Sequence, residues 1–248
     1  MFEKYYESPA FGEWCRRVYG KDLKQLGSVT MGELKILYRE VDLPPDSHIL
    51  DMGCGAGYIG VEIAGHYNSR LTAVDFDIGA ISHAQRTFAD NPVFNFIHGD
   101  GSEIFFESST FDLICFCDSL HFTITIEKLH KLLDKCWVML KPGGKMAIFR
   151  GKTPLDEIKE STGCNTQVAL WGKNNNTPFK EIGKLTEPNR MFYRKAIDEL
   201  LAMESKLRSE VPETFERLKS ELIDAKNDNL DIPAPSERRW LYIFNKKY

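Results

Sequence analysis

The stretch HILDMGCGAG, residues 48–57, decides the reading of this 248-residue chain. A short apolar run ends on an acid, Asp51, and passes straight into glycines at every second position, Gly53, Gly55 and Gly57. Such a run, bounded by turn residues, reads as a buried strand. The glycines let the backbone turn sharply and leave the first turn of the next segment, YIGVEIAGHY, open to a ligand whose electronegative atoms its free amides favour. The spacing is G-x-G-x-G with an acid two positions ahead. It is not the G-x-G-x-x-G that lays a pyrophosphate on a helix, so no diphosphate cradle is implied.

Outward from this turn, apolar runs and helix-length segments alternate: RLTAVD, IGAISHAQRTFA, VFNFIH, FDLICFC, a helix over about 124–140, then KMAIF. Continuous apolar strands separated by helices predict βαβ units and a parallel sheet covered on both faces, an α/β fold. Residues 1–45 read as a helical preface, with a capping box of Thr30 and Glu33 opening one helix and Pro44-Pro45 closing the segment. Beyond Gly151 come the turn-rich WGKNNNTPF, two long helical runs and the strand-like RRWLYIFNKKY.

The formal net charge is -4, and its lysines and arginines are scattered, which argues against a nucleic-acid partner. Cys115 and Cys117 lack the spacing and partner histidines of a zinc site, so no metal is expected. The N-terminus carries no basic segment followed by an apolar one, and no long hydrophobic run occurs. A cytoplasmic protein with no membrane partner is the expectation.

Asp75 ends the second strand about twenty residues past the glycines, where a carboxylate can accept both ribose hydroxyls of an adenosine. Asp77 fits the competing role of helix N-cap better. Asp100, between Gly99 and Gly101, reads either as an acceptor for an adenine amino group or as a plain turn.

Taken together, HILDMGCGAG, AVDFD, HGDGSEIFF, FDLICFCDSLHF and LKPGGKMAIF resemble, in order and spacing, the class I methyltransferases that use S-adenosylmethionine (SAM). The resemblance is strong over about 30–150 and weaker through FKEIGKLTEPNRMFYRKAIDEL and the last strand, in the manner of the small-molecule branch. It implies a Rossmann-like sheet of seven strands, mostly parallel with the last antiparallel, helices on both faces and a helical lid. The expected organisation is an N-terminal cap over 1–45, a SAM-binding core over 46–151, and a C-terminal part over 152–248 that holds a lid at about 190–230. By the resemblance, Asp51, Gly53, Cys54, Gly55 and Gly57 hold the methionine part of SAM, Asp75 the ribose, Phe76, Asp100 and Gly101 the adenine, and Cys117 the methionine end through its backbone. Lys141-Pro142-Gly143-Gly144 would be the turn into the fifth strand.

The acceptor is expected to be a small molecule, with an RNA or protein methyltransferase and a non-catalytic SAM-binding protein as alternatives. The chain lacks the Asn/Asp-Pro-Pro-Tyr/Phe signature of amino-group methylation on bases or glutamine, and has Cys117-Asp118-Ser119-Leu120-His121-Phe122 in its place. His121 is the candidate general base, the alternative being that it orients the loop or packs. Tyr5, Tyr6, Asp118 and Trp171 are candidate pocket residues, with ordinary helix packing as the competing account of the aromatic ones.

Overall fold

A computed structural model describes residues 4–120, 125–151, 156, 166–182, 185–224 and 239–247. Three helices come first, α1 (Lys4–Glu7), α2 (Pro9–Tyr19) and α3 (Met31–Glu40). Strands and helices then alternate: β1 (His48–Met52), α4 (Tyr58–Tyr67), β2 (Arg70–Asp75), α5 (Ile78–Thr87), β3 (Phe94–His98), β4 (Phe111–Cys117), α6 (Ile126–Met139) and β5 (Leu140–Gly151). The remainder holds α7 (Gln167–Asn174), β6 (Phe179–Ile182), α8 (Thr186–Ala202), α9 (Glu204–Glu210), α10 (Pro212–Lys219), a π-helical turn (Ser220–Asp224) and β7 (Arg239–Asn245).

The strands form one seven-stranded sheet in the order β3-β2-β1-β4-β5-β7-β6. β7 runs antiparallel to both its neighbours, and the pairs among β1 to β5 are parallel. The order reverses between β1 and β4, which leaves a crevice at their carboxyl ends, the usual ligand position in open α/β sheets.

Alternation along each strand divides the core in two. Ile49, Ala73, Cys115, Ala147 and Phe149 face a cluster that includes residues of α2 to α5 and α8 to α10. Leu50, Val74, Ile114, Met146 and Ile148 face α6 and α7. Both faces are covered, which is why the strands read as unbroken apolar runs.

The caps follow the sequence. Thr30 and Glu33 form the reciprocal capping box, and the Asp77 carboxylate accepts from the amides of Gly79 and Ala80 at the start of α5. Two expectations change. Lys141-Pro142-Gly143-Gly144 is continuous with β5 through a bulge, with Phe111 opposite Leu140 and Leu113 opposite Lys145. Trp171 lies in helix α7, capped by Thr166, and not in a turn.

The two ends of the chain interlock. Trp14 Nε1 donates to the Ala196 carbonyl at 3.4 Å, and Ser8 Oγ donates to Glu210 at 2.7 Å. Helices α8 and α9, within the stretch where a lid is expected, thus pack on α2, while residues 225–230 lie outside the described ones. No helix among the described residues is long and apolar enough to cross a membrane.

Candidate active site

The loop after β1 is fixed by its amides and by close approach. Gly53 and Cys54 both donate to the Val74 carbonyl, at 2.8 and 3.0 Å, and Ser119 Oγ donates to the Met52 carbonyl. Gly53 has φ 75°, and a Cβ there would sit 2.3 Å from Ser119 Cβ. Gly57 has φ 80°, and a Cβ there would sit 2.4 Å from the Phe96 ring. These two glycines are required by packing. Gly55, with φ 53°, has nothing within 4 Å of an added Cβ.

That open side faces a cavity of about 780 Å³ over the carboxyl ends of β1, β2 and β4. Its walls bring together ten sequence candidates: Asp51, Gly53, Cys54 and Gly55 from the first loop; Asp75 and Phe76 from the second; Cys117 and Asp118 from β4 and its tip; and Tyr5 and Tyr6 from α1. Gly57, Asp100, Gly101 and Trp171 do not line it. Gly57 instead starts α4. One Asp100 carboxylate oxygen accepts from the Ser102 amide at 2.7 Å, and the Gly101 carbonyl accepts from Lys135. The pocket role expected of Trp171 is corrected: the ring is fully buried in the layer on the other side of the sheet, against Trp137 and Phe244, with Nε1 donating to Asp134 at 2.7 Å. His121 lies outside the described residues.

Asp75 does more than face the cavity. One carboxylate oxygen accepts from the Gly55 amide at 2.7 Å and the other from the Asp77 amide at 2.9 Å, so it ties the loops after β1 and β2 together. Asp51 has no such support. It is 1% exposed, and neither carboxylate oxygen has a hydrogen-bond partner among the described residues. Burial, and then the nearby Asp75 charge, push its carboxyl up to about 7.

Burial also drives the Cys54 and Cys117 thiols far upward, with Asp51 adding to the effect, so neither supplies a thiolate nucleophile. The Tyr5 hydroxyl is pushed up to about 12 for the same first reason, which leaves it a neutral hydrogen-bonding group. Tyr6 stacks on His83 of α5 at 4.9 Å and so anchors α1 over the cavity.

The facing wall was missed by sequence reasoning. Residues 23–27 form a strap along it, and Arg217 of α10 and Glu221 of the π-helical turn complete it. Tyr19 donates its hydroxyl to the Gly27 carbonyl at 2.9 Å, and the Ser28 amide donates to Asp118 at 2.8 Å. Asp118, at φ 60°, is in turn held by Arg239, whose guanidinium also donates to Glu33 at 2.7 Å. The only sequence signal for this wall was the i,i+4 pairing of Arg217 with Glu221, which reads equally as a solvated face.

A family model described as a methyltransferase domain matches residues 49–144, the segment that carries the glycine loop, Asp75 and the β4 tip. Over residues 49–144 the chain is similar to a methyltransferase domain. Among curated relatives, this domain is similar to ribosomal RNA small subunit methyltransferase C of Pseudomonas putida, 32% identical over 117 residues, which are 46% of this chain and 35% of that protein. It is also similar to a demethylmenaquinone methyltransferase of Clavibacter sepedonicus, 28% identical over 106 residues, or 43% and 42% of the two chains. The chain thus spans less than half the length of either. Among solved structures, the fold matches phosphoethanolamine N-methyltransferase 2 of Haemonchus contortus, solved with phosphomonomethylethanolamine and S-adenosylhomocysteine. The TM-score is 0.68 at 16% identity, covering 100% of this chain and 60% of the other.

The open side of the methyltransferase loop gives a first test. Gly55→Ala is expected to cost about 1 kcal/mol of stability, because a Cβ disfavours the left-handed conformation, while the fold survives since nothing obstructs it. The methyl would project into the cavity, so binding of S-adenosylhomocysteine should weaken. A variant with wild-type affinity in calorimetry would mean that the ligand does not approach Gly55.

Proposed function

We infer that this chain binds SAM in the cavity and transfers its methyl group to a small molecule. The observation that carries the reading is the make-up of the cavity wall: the loops after β1 and β2 form one side, and Tyr5, Tyr6, residues 23–27, Arg217 and Glu221 line the other. Its volume, about 780 Å³, lies within the range of small-molecule sites, roughly 300–1,000 Å³.

The residues fit this cofactor. A buried carboxylate without a partner asks for a cation, and Asp51 offers that to an amino-acid ammonium. The Gly53 to Gly55 backbone borders the same end. Asp75 keeps lone pairs for ribose hydroxyls beside the two amides it already accepts. Phe76, 69% exposed, offers adenine a ring face. When bound, SAM supplies a methyl group on a sulfonium, whose in-line transfer depends more on placement than on proton removal. Residues 23–27 and Asp118 border the space left for an acceptor, and the N-terminal cap with α8 to α10 acts as its lid.

Incubation of the protein and methyl-labelled SAM with fractionated cell extract tests the reading. Label is expected in the small-molecule fraction. Label recovered in RNA or protein, with association that weakens steeply as salt rises in the RNA case, would overturn the small-molecule acceptor, and failure of SAM to bind would overturn the whole reading.

A further inference from the structure

Asp51 is an anomaly that the fold tolerates. Its carboxyl is 1% exposed, forms part of the cavity wall and has no hydrogen-bond partner on either oxygen among the described residues. An isolated buried carboxylate is costly enough that such a group normally neutralises itself by taking a proton. The groups around it offer no countercharge. β2 contributes the Asp75 carboxylate; the glycine loop contributes the Cys54 thiol; and β4 contributes the Cys115 and Cys117 thiols, all three neutral through burial. α4 contributes Gly60, in its first turn, where the backbone N–H has no acceptor within the helix. That amide offsets part of the upward push on Asp51 without reaching hydrogen-bond geometry. A Cβ at Gly60 would lie 2.6 Å from Asp51 Oδ2, so the carboxyl occupies the space that glycine leaves. No cationic side chain among the described residues enters its field.

We propose that Asp51 carries a proton while the cavity is empty and releases it when an ammonium group seats beside it, so that cofactor binding is coupled to proton release. The inference rests on the SAM reading above and deepens it at one atom pair. The proton leaves the carboxyl for solvent, and the ligand's ammonium, already charged, takes its place as the neutralising partner; no bond to carbon changes. The coupling selects ligands that retain the amino-acid end.

The sign follows from linkage. A carboxyl with a midpoint of about 7 in the empty protein that is ionised when liganded should release about 0.9 proton per ligand at pH 6, about 0.5 at pH 7 and about 0.1 at pH 8. Affinity should accordingly fall almost tenfold per pH unit below about 6 and level off above about 8.

Titration calorimetry in pairs of buffers with different ionisation enthalpies reads the proton count directly. The ligands are SAM, S-adenosylhomocysteine and 5′-methylthioadenosine, the last lacking the amino-acid end. The expected result is release with the first two, declining from pH 6 to pH 8, and none with the third. Asp51→Asn, which is close in shape and cannot titrate, should bind S-adenosylhomocysteine with no proton release and with an affinity flat across this range. Binding of S-adenosylhomocysteine without pH-dependent release, or equal release with 5′-methylthioadenosine, overturns the inference alone. Failure of both SAM and S-adenosylhomocysteine to bind at any pH overturns the cofactor reading, and this inference with it.

Discussion

Replacing Asp75 with alanine is expected to weaken binding of S-adenosylhomocysteine by one to two orders of magnitude. Hydrogen bonds to a charged group contribute about 1.5–3 kcal/mol, and each 1.4 kcal/mol is about tenfold. Two effects combine. The ribose loses its acceptor, and the Gly55 and Asp77 amides lose the carboxylate that holds the two ligand loops. Asp75→Asn keeps an acceptor oxygen for one of these amides and should fall between the two. The substitution also removes the charge that raises the Asp51 carboxyl, so the pH range of ligand-linked proton release should move downward in the Asp75→Ala variant. Calorimetry with S-adenosylhomocysteine measures both. Unchanged affinity would remove Asp75 from the ribose site.

The two loops that border the cavity were legible in the sequence because their logic is local. Glycine spacing, an acid two positions ahead and a second acid at the next strand's tip are all set within about thirty residues, and the structure brings all of these but Gly57 to one cavity. Asp75 and Asp77 could even be told apart, since an N-cap needs the residue adjoining the helix, which is Asp77.

The remainder depends on partners far along the chain. Trp171 looked like a pocket residue because WGKNNN is turn-rich, yet its fate is set by Asp134 on α6 and Phe244 on β7, 37 and 73 positions away. Asp100 has two local readings, and one of its carboxylate oxygens binds the Ser102 amide two residues on. The strap at residues 23–27 carries no motif at all. It becomes a wall only because Tyr19, Asp118 and Arg239 pin it or its anchor.

Arg239 is where the second large effect is expected. It read as the polar start of an aromatic strand, yet its side chain is 2% exposed and bridges Glu33, 206 positions away, and Asp118, 121 positions away. Arg239→Met keeps most of the volume and removes the cation, leaving two carboxylates in one buried site. Breaking a buried ion pair by deleting one partner costs about 3–5 kcal/mol, which for a chain of this size corresponds to a fall of roughly 10 °C in the unfolding midpoint. The dependence on pH separates charge from shape. Burial raises the Glu33 carboxyl above its ordinary value, and Arg239 is the largest opposing influence. Without it, the folded-state value rises further. A carboxyl raised in the folded state contributes stability below its unfolded value and loses it as pH climbs through the folded one. The deficit of Arg239→Met relative to wild type should therefore be smallest near pH 5 and largest near pH 8, as measured by urea unfolding at each pH. Arg239→Lys restores the charge without the planar fork that reaches both carboxylates, so it should recover part of the stability and flatten the pH dependence. If methionine and lysine were equally damaging at every pH, the side chain would be acting through its shape alone, and the charge bridge would not be what holds Asp118 against the strap.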